Sequence, residues 1–590
     1  MTDVRWDLSA LYDGFDDPRL ASDRERALAS AREFATRYRG RVAGLDADGL
    51  LAALRAFDDL TRLSRREGWY ASLRFAEDTT DDDARAAQTA AQAHAAAVGA
   101  EVVFFALELK ELPADHLDDL GAGDALRGYD HYLGYQRAFA AYSLDEASEA
   151  TITRKEVTGK NAWVQLYLQI TGGLRFPVDH GGEVRELTSG EVHALLESPD
   201  RSLREAASKA RADGYAPHAD VLTFVFNTLF EDHRSEMETR GYDRVTDFTV
   251  LHDDLTPAVV DAVIDSVTRR ADLSHRYQAL RARVSGLDDY ASFDRALPLF
   301  GDPSDIPWEE ARDTVLGAFE GFSPRFAEVA RAYFTERRID AFPRPGKSPG
   351  AFCSPGMPPD PPYILTNFTG TTSDMFTLAH ELGHGVHFAL SLEQAPVNYW
   401  TGMPVAETAS IFAELLLHER LMEAADDDPE ARVRLLDMQV DSAMRSAWTQ
   451  ITFVQWEIRA HLRRAEGVAT RDELSDLWTE RMRALWGDAV RMTDADREAW
   501  MRIPHFVFAR FYCWSYAFGK LLTLALYGVW QERGDAFVDD YLALLRAGGS
   551  RSPAALVAGL GLDLADPDFW ARGVAVVEAQ LDELEAAVGP

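Results

Sequence analysis

The sequence predicts a predominantly all-α protein with a small β element, and three observations carry that expectation. Long runs with few breakers, rich in Ala and Arg over residues 20–41 and in Ala over residues 81–109, are made of residue types that favour helix. Apolar residues recur at helical spacing around His380–His384 and again from Glu407 onward. Runs of β character are confined to residues 174–187 and 363–368, each flanked by Gly or Pro.

Taken in order, the pattern continues as helix over residues 135–160, carrying Leu144-Asp-Glu-Ala-Ser-Glu149. A β interruption follows over residues 174–187, where Phe176-Pro-Val precedes His180-Gly-Gly-Glu. Helices resume at Ser189, and residues 221–334 read as several more. Residues 341–362 form a Pro- and Gly-rich linker into a short strand, Tyr363-Ile-Leu-Thr-Asn-Phe368, with Pro358, Pro359, Pro361 and Pro362 punctuating its approach. Gly370 breaks that strand, and Thr371, Thr372, Ser373 and Asp374 all offer N-caps to the next helix. Its buried face is expected to hold Met375, Phe376, Leu378, Ala379, Leu382 and Val386. After Glu407 helices dominate to the end. No repeat stands out. A soft boundary near residue 190 would separate an N-terminal helical lobe, 1–190, from a catalytic body, 191–590.

His380-Glu381-Leu382-Gly383-His384 is the pattern that carries chemistry. Residues four apart share a helical face one turn apart, so both imidazoles reach one ion. Glu381 lies about 60° round the helix from His384, where a carboxylate can take a proton from a metal-bound water. Two imidazoles and one further ligand leave the fourth position of a zinc ion open, and zinc lowers the pKa of its water towards about 7. Three residues compete for the third place. His387 shares the face but sits about 10.5 Å along the axis from His380, which suits packing or outer-shell support better than ligation. Glu407 and Glu414 begin and end an amphipathic segment, Glu407-Thr-Ala-Ser-Ile-Phe-Ala-Glu414, and share its face. Glu407 is better placed for the metal and Glu414 for orienting a histidine. Ala406, Ala409, Ile411, Phe412 and Leu415 mark this helix as mostly buried, and a buried carboxylate needs a partner.

Several segments together resemble the M3 family of metallopeptidases, most closely its bacterial oligoendopeptidase F branch. They are Gly350-Ala-Phe-Cys353, Pro362-Tyr-Ile-Leu-Thr-Asn-Phe-Thr-Gly370, the histidine helix, and Pro404-Val-Ala-Glu407-Thr-Ala-Ser410. Trp6-Asp-Leu-Ser-Ala-Leu-Tyr12 is similar to that branch's opening. Ala547-Gly-Gly-Ser550 and Pro567-Asp-Phe-Trp570 are similar to its ending. The resemblance implies a zincin-type HExxH catalytic body with a β element beside the zinc helix, and helical lobes around a deep substrate channel. It further implies one Zn2+ per chain held by His380, His384 and Glu407, with Glu381 as general base.

A second constellation lies in Ile503-Pro-His505-Phe-Val-Phe-Ala-Arg-Phe-Tyr512-Cys-Trp-Ser-Tyr516-Ala-Phe-Gly519. Were this segment wholly helical, His505, Tyr512 and Tyr516 would fall within about 40° of one another. Such side chains serve as donors to the oxyanion of a tetrahedral intermediate. The same pattern also fits a buried aromatic helix, since Phe506, Phe508, Phe511 and Trp514 surround them. By the resemblance this region faces substrate. Trp514 stands where many relatives carry tyrosine, so Tyr512 and Tyr516 are both retained as hydroxyl donors.

Composition sets limits. The net charge is −36, which repels nucleic-acid phosphates and anionic membrane surfaces. Six lysines against 55 arginines point to a compositional or salt bias rather than a binding patch. Two cysteines, Cys353 and Cys513, exclude a disulfide framework. The N-terminus lacks a basic-plus-apolar leader, and the longest apolar stretch, near residues 521–530, is too short to span a bilayer. The sequence therefore predicts a cytoplasmic zinc endopeptidase acting on short unfolded peptides. Its rivals are a zinc exopeptidase of aminopeptidase or dipeptidyl carboxypeptidase type, and a non-catalytic helical scaffold. A G-x-M-E-N-like amine-binding segment, expected of an aminopeptidase, does not precede the histidine helix.

Overall fold

A computed structural model describes residues 4–589 apart from 114, 117–119, 121–123 and 302–303. The fold is predominantly helical, with five short strands among the described residues. Two compact units emerge, each assembled from separate stretches of chain. The first comprises Met1–Ala141, Asp302–Ala424 and Leu526–Leu564; the second comprises Tyr142–Gly301, Ala425–Ala525 and Ala565–Pro590. None of these divisions falls at residue 190.

In the first unit, helices Pro18–Tyr38, Ala47–Glu77 and Asp82–Lys110 pack on one another. Each starts on an aspartate whose carboxylate accepts an orphan backbone N–H: Asp17 from Arg19 at 2.8 Å, Asp46 from Gly49 at 2.9 Å, and Asp81 from Asp83 at 2.8 Å. Phe34, Leu50, Leu54, Phe104, Phe105 and Leu109 form their shared core. The helix Asp82–Lys110 is long and apolar enough to cross a membrane by length and composition, with a mean hydropathy of 1.4 over its best window. The sequence marks this segment as helix but not as a long apolar stretch, because its apolar character is mostly alanine interrupted by polar residues such as Gln88, Thr89, Gln92 and His94.

The expected strand beside the histidine helix is the centre of a small sheet. Strands β1 (Phe176–His180) and β2 (Glu183–Leu187) pair as a hairpin in the second unit. In the first unit β3 (Ile339–Asp340), β4 (Phe352–Ser354) and β5 (Tyr363–Leu365) are ordered β3-β5-β4, with β3 parallel and β4 antiparallel to β5. Ile364 stands opposite both Ile339 and Cys353. Beyond β5 the backbone keeps pairing, from Thr366 N–H to Asp340 O at 2.9 Å and from Phe368 N–H to Ala341 O at 2.9 Å. The fully buried Lys347 ammonium lies 2.7 Å from Asp340 and ties the linker to the sheet. Trp6 meets Tyr363 edge-on at 6.1 Å, and the Tyr363 hydroxyl donates to Asp7 O at 3.0 Å. The N-terminal Trp6–Tyr12 motif is thus a cover for the sheet.

In the second unit the hairpin turns at Gly181 and Gly182, with φ of +65° and +84°, the left-handed pair a two-residue turn requires. The single helix expected over 135–160 is corrected. Helix Asp130–Ala138, in the first unit, and helices Glu146–Glu156 and Lys160–Gly173, in the second, replace it. The Asp145 carboxylate accepts the Ser148 N–H at 3.0 Å and starts a new helix where periodicity alone suggests continuation. The core of this unit is aromatic: Trp456 stacks on Trp500 at 5.6 Å and meets Phe506 at a tilt at 4.6 Å, and Phe226 meets Trp500 edge-on at 4.9 Å.

Candidate metal centre

The histidine helix spans Thr372–Ser391 and begins where expected. Gly370 turns the chain at φ +101°. Thr371 then forms a capping box with Asp374, whose N–H reaches the threonine hydroxyl at 3.0 Å while its carboxylate accepts the Thr371 N–H at 3.2 Å. Two glycines in and beside the motif, to which the sequence alone assigns no part, fix what lies behind it. A Cβ on Gly383 would stand 2.5 Å from Ala409 O, and one on Gly385 would stand 2.8 Å from the Tyr333 ring. The absent side chain of Gly383 lets the helix Thr408–Ala424 lie directly against the histidine helix, and that of Gly385 admits the Tyr333 ring. The Tyr333 hydroxyl then donates to Gly385 O at 2.7 Å. Glycine between paired histidines is the sequence signal for this close approach.

That contact brings Glu407, one residue before its helix, to both imidazoles. His380 Nε2 and His384 Nε2 lie 3.2 Å apart. Glu407 Oε2 lies 3.4 Å from the first and 3.5 Å from the second. A tetrahedral ion with bonds of about 2.0–2.1 Å holds its ligand atoms roughly 3.3–3.4 Å apart, so this triangle has the size such an ion demands. These three residues are the one metal-sized His/Cys/Asp/Glu group found among the described residues. Ser410 donates to Glu407 Oε2 at 2.8 Å and fixes that carboxylate. Glu414 Oε1 lies 2.5 Å from His380 Nδ1, which holds the proton there and leaves Nε2 free as a lone-pair donor.

The electrostatics favour a cation. Burial lowers the His380 pKa, but Glu414, Glu407 and Glu381 outweigh it and push the value up to about 9. Burial raises Glu407, yet hydrogen bonding and charge from His384 and His380 hold it at about 2. Glu381 is buried and its pKa is raised, first by burial, against the pull of both histidines and the Cys353 backbone N–H. His387 is buried beside Phe388 and depressed to about 3 by desolvation. It stands outside the convergent three.

His505, Tyr512 and Tyr516 belong to the second unit. The uninterrupted helix considered for them does not form. A short helix, His505–Phe508, ends before Phe511, which takes a left-handed φ of +58°, and a new helix runs Cys513–Arg533. Both oxygens of the buried Glu457 carboxylate accept the Phe511 N–H at 3.0 Å. The bend nevertheless gathers the three rings. His505 stacks on Tyr512 at 5.9 Å and meets Tyr516 edge-on at 5.9 Å, with the Tyr516 hydroxyl 3.4 Å from His505 Nε2. Glu457 carries no sequence signal beyond a carboxylate in an apolar helix.

Comparison with known proteins decides the family. Residues 318–576 match peptidase family M3, and residues 108–176 match the domain described as Oligopeptidase F. The chain belongs to peptidase family M3. It is 26% identical to oligopeptidase PepF of Bacillus subtilis over 93% of this chain and 82% of that protein. It is also 26% identical to the chromosomal oligoendopeptidase F of Lactococcus lactis subsp. cremoris, over 99% and 97%. Group B oligopeptidase PepB of Streptococcus agalactiae is 27% identical over 99% and 97%. Among solved structures, one from Chlamydophila abortus shares the fold with a TM-score of 0.87 at 21% identity, covering 99% of this chain and 98% of that one. Oligoendopeptidase-F from Enterococcus faecium superposes with a TM-score of 0.72 at 24% identity, covering 96% and 98%. As an M3 chain of the oligoendopeptidase F branch, the protein is a metallopeptidase that hydrolyses peptides.

Proposed function

We propose that this M3 peptidase is a zinc-dependent endopeptidase of short, unfolded peptides, with His380, His384 and Glu407 as ligands. The observation that carries the reading is the Nε2–Nε2–Oε2 triangle with edges of 3.2, 3.4 and 3.5 Å, backed by the Glu414 carboxylate on His380 Nδ1, which leaves Nε2 its lone pair for a cation. Zinc held there would polarise the scissile carbonyl and bring the pKa of a water towards about 7.

The chain's own groups supply the rest. Glu381 accepts a proton from the water that attacks the scissile carbonyl carbon. It delivers that proton to the amide nitrogen as the C–N bond breaks, so acid and amine leave with no net proton change. The raised pKa of Glu381 suits a group that must hold the proton between these steps. Glu414 keeps the His380 tautomer fixed throughout. The same reading gives His505, with Tyr512 or Tyr516, the part of donors to the oxyanion. Burial lowers the His505 pKa, which keeps the imidazole neutral and able to donate one hydrogen bond. An N-acetylated, C-amidated peptide tests the endopeptidase assignment. Internal cleavage of it is expected, whereas activity confined to peptides with a free terminus would favour an exopeptidase.

A further inference from the structure

We propose that Trp400 is a specificity-determining residue: an aromatic platform that receives a large apolar or aromatic side chain of the peptide, close to the cleaved bond. The proposal rests on the endopeptidase reading above and adds to it the side chain that the substrate must present.

Trp400 is the one tryptophan among the large apolar side chains exposed in the described residues, at 47%. Isolated exposed apolar groups are ordinary, but this one is built into the metal centre. The Phe388 ring stacks on His384 at 6.3 Å with an interplanar angle of 22°. The same ring meets the Trp400 indole edge-on at 5.6 Å. The indole is therefore one ring removed from a proposed metal ligand. An extended peptide advances about 3.3 Å per residue, so a side chain within three or four residues of the scissile bond reaches it. Met403, 40% exposed, follows three residues later.

The backbone beneath the indole is fixed with unusual closeness. Asn398 and Tyr399 are each 1% exposed, so the chain turns two side chains inward and presents the third. Tyr399 donates its hydroxyl to Pro355 O, and Asn398 donates its amide to Gly128 O. The segment is seated on Gly548 and Gly549. Gly548 has φ +51°, and a Cβ there would lie 2.9 Å from Asn398 O. A Cβ on Gly549 would lie 1.9 Å from Trp400 O, where no side chain fits. Gly549 N–H donates to Asn398 O at 2.8 Å. Ser391, at the end of the histidine helix, donates to Leu545 O at 2.9 Å, and Gln394 donates to Arg546 O at 2.8 Å. The Ala547-Gly-Gly-Ser550 motif thus holds the Trp400 backbone against the end of the histidine helix. A rigid, outward-facing aromatic loses little entropy when a ligand side chain covers it.

The test uses end-blocked, internally quenched Ala-rich peptides in which Phe is moved through the four positions on either side of the cleaved bond. For the wild type, Phe at one position should raise kcat/KM at least tenfold over the all-Ala peptide. Trp400→Ala should bring that ratio close to one, mainly through KM, with the bound zinc unchanged. Trp400→Phe should restore most of it. A Trp400→Ala variant that keeps the wild-type Phe preference, or that loses activity on all peptides by the same factor, would overturn the proposal. Peptides left uncut by the wild type would overturn the endopeptidase reading itself, a separate outcome.

Discussion

Glu414 determines which nitrogen of His380 faces the other ligands, and this separates the roles of the acidic residues around the motif. Its carboxylate sits on Nδ1, 2.5 Å away, while Glu407 faces Nε2 of both histidines. Removing a direct ligand should therefore cost more than removing an orienting partner. Metal analysis of the purified variants should find His380→Ala, His384→Ala and Glu407→Ala almost empty. Glu414→Ala should retain the metal with about 10–100-fold weaker affinity. His387→Ala should hold it nearly as the wild type does. Full metal retention by Glu407→Ala would reassign the third ligand. A second residue-scale prediction concerns His505 and the tyrosines. If they donate to the oxyanion, His505→Ala should lower kcat by roughly a hundredfold or more with the metal still bound. The 3.4 Å approach of the Tyr516 hydroxyl to His505 Nε2 singles out Tyr516→Phe as the tyrosine variant more affected. Equal, normal turnover of Tyr512→Phe and Tyr516→Phe would confine the hydroxyls to packing. The sequence sufficed for His380, His384 and the two candidate acids because helical spacing alone sets their face. It ranked Glu407 ahead of Glu414 for the metal, but the distances that separate their roles depend on how closely Gly383 lets two helices approach.

At the scale of elements, the capped helix starts at Asp81 and Thr371 were legible, whereas the one at Asp145 was hidden by the helical periodicity that runs through it. The break at Phe511 was not, because a partner 54 residues upstream imposes it. The fully buried Glu457 carboxylate accepts the Phe511 N–H, and a residue held at φ +58° by a distant side chain leaves no periodic trace. Strands β3 and β4 escaped notice for a related reason: two or three residues in a Pro- and Gly-rich stretch have no pattern until Ile364 pairs with both. Glu457 also carries a pH prediction. Burial raises its pKa to about 8, against the pull of the Phe511 N–H and Arg510, while the unfolded chain titrates near 4.5. Between those values the folded state binds the extra proton, so this residue makes stability fall as pH rises from about 4.5 to 8. Thermal unfolding of Glu457→Gln should show a flatter pH dependence across that window, with a smaller drop in Tm from pH 5 to pH 8 than in the wild type. A steeper decline in the variant would contradict the buried protonated acid.

Over the whole molecule, the all-α class and the M3 resemblance were legible almost end to end, because composition, periodicity and motif order survive at 26% identity. The division into two units was not. Each gathers three separated stretches, and local periodicity holds no information about which distant helices share a core. The charge of −36 bears on solubility and long-range attraction of cationic peptides more than on the fold. Metal binding and proton transfer are assigned to different residues, and Glu381→Gln probes that separation in the intact chain. Zinc content and peptide turnover should be measured on the same preparation. The predicted result is one zinc per chain, unchanged thermal stability and a loss of kcat/KM of several powers of ten. Turnover near the wild-type rate with zinc bound would contradict the assignment of Glu381, and loss of the zinc itself would contradict the ligand set.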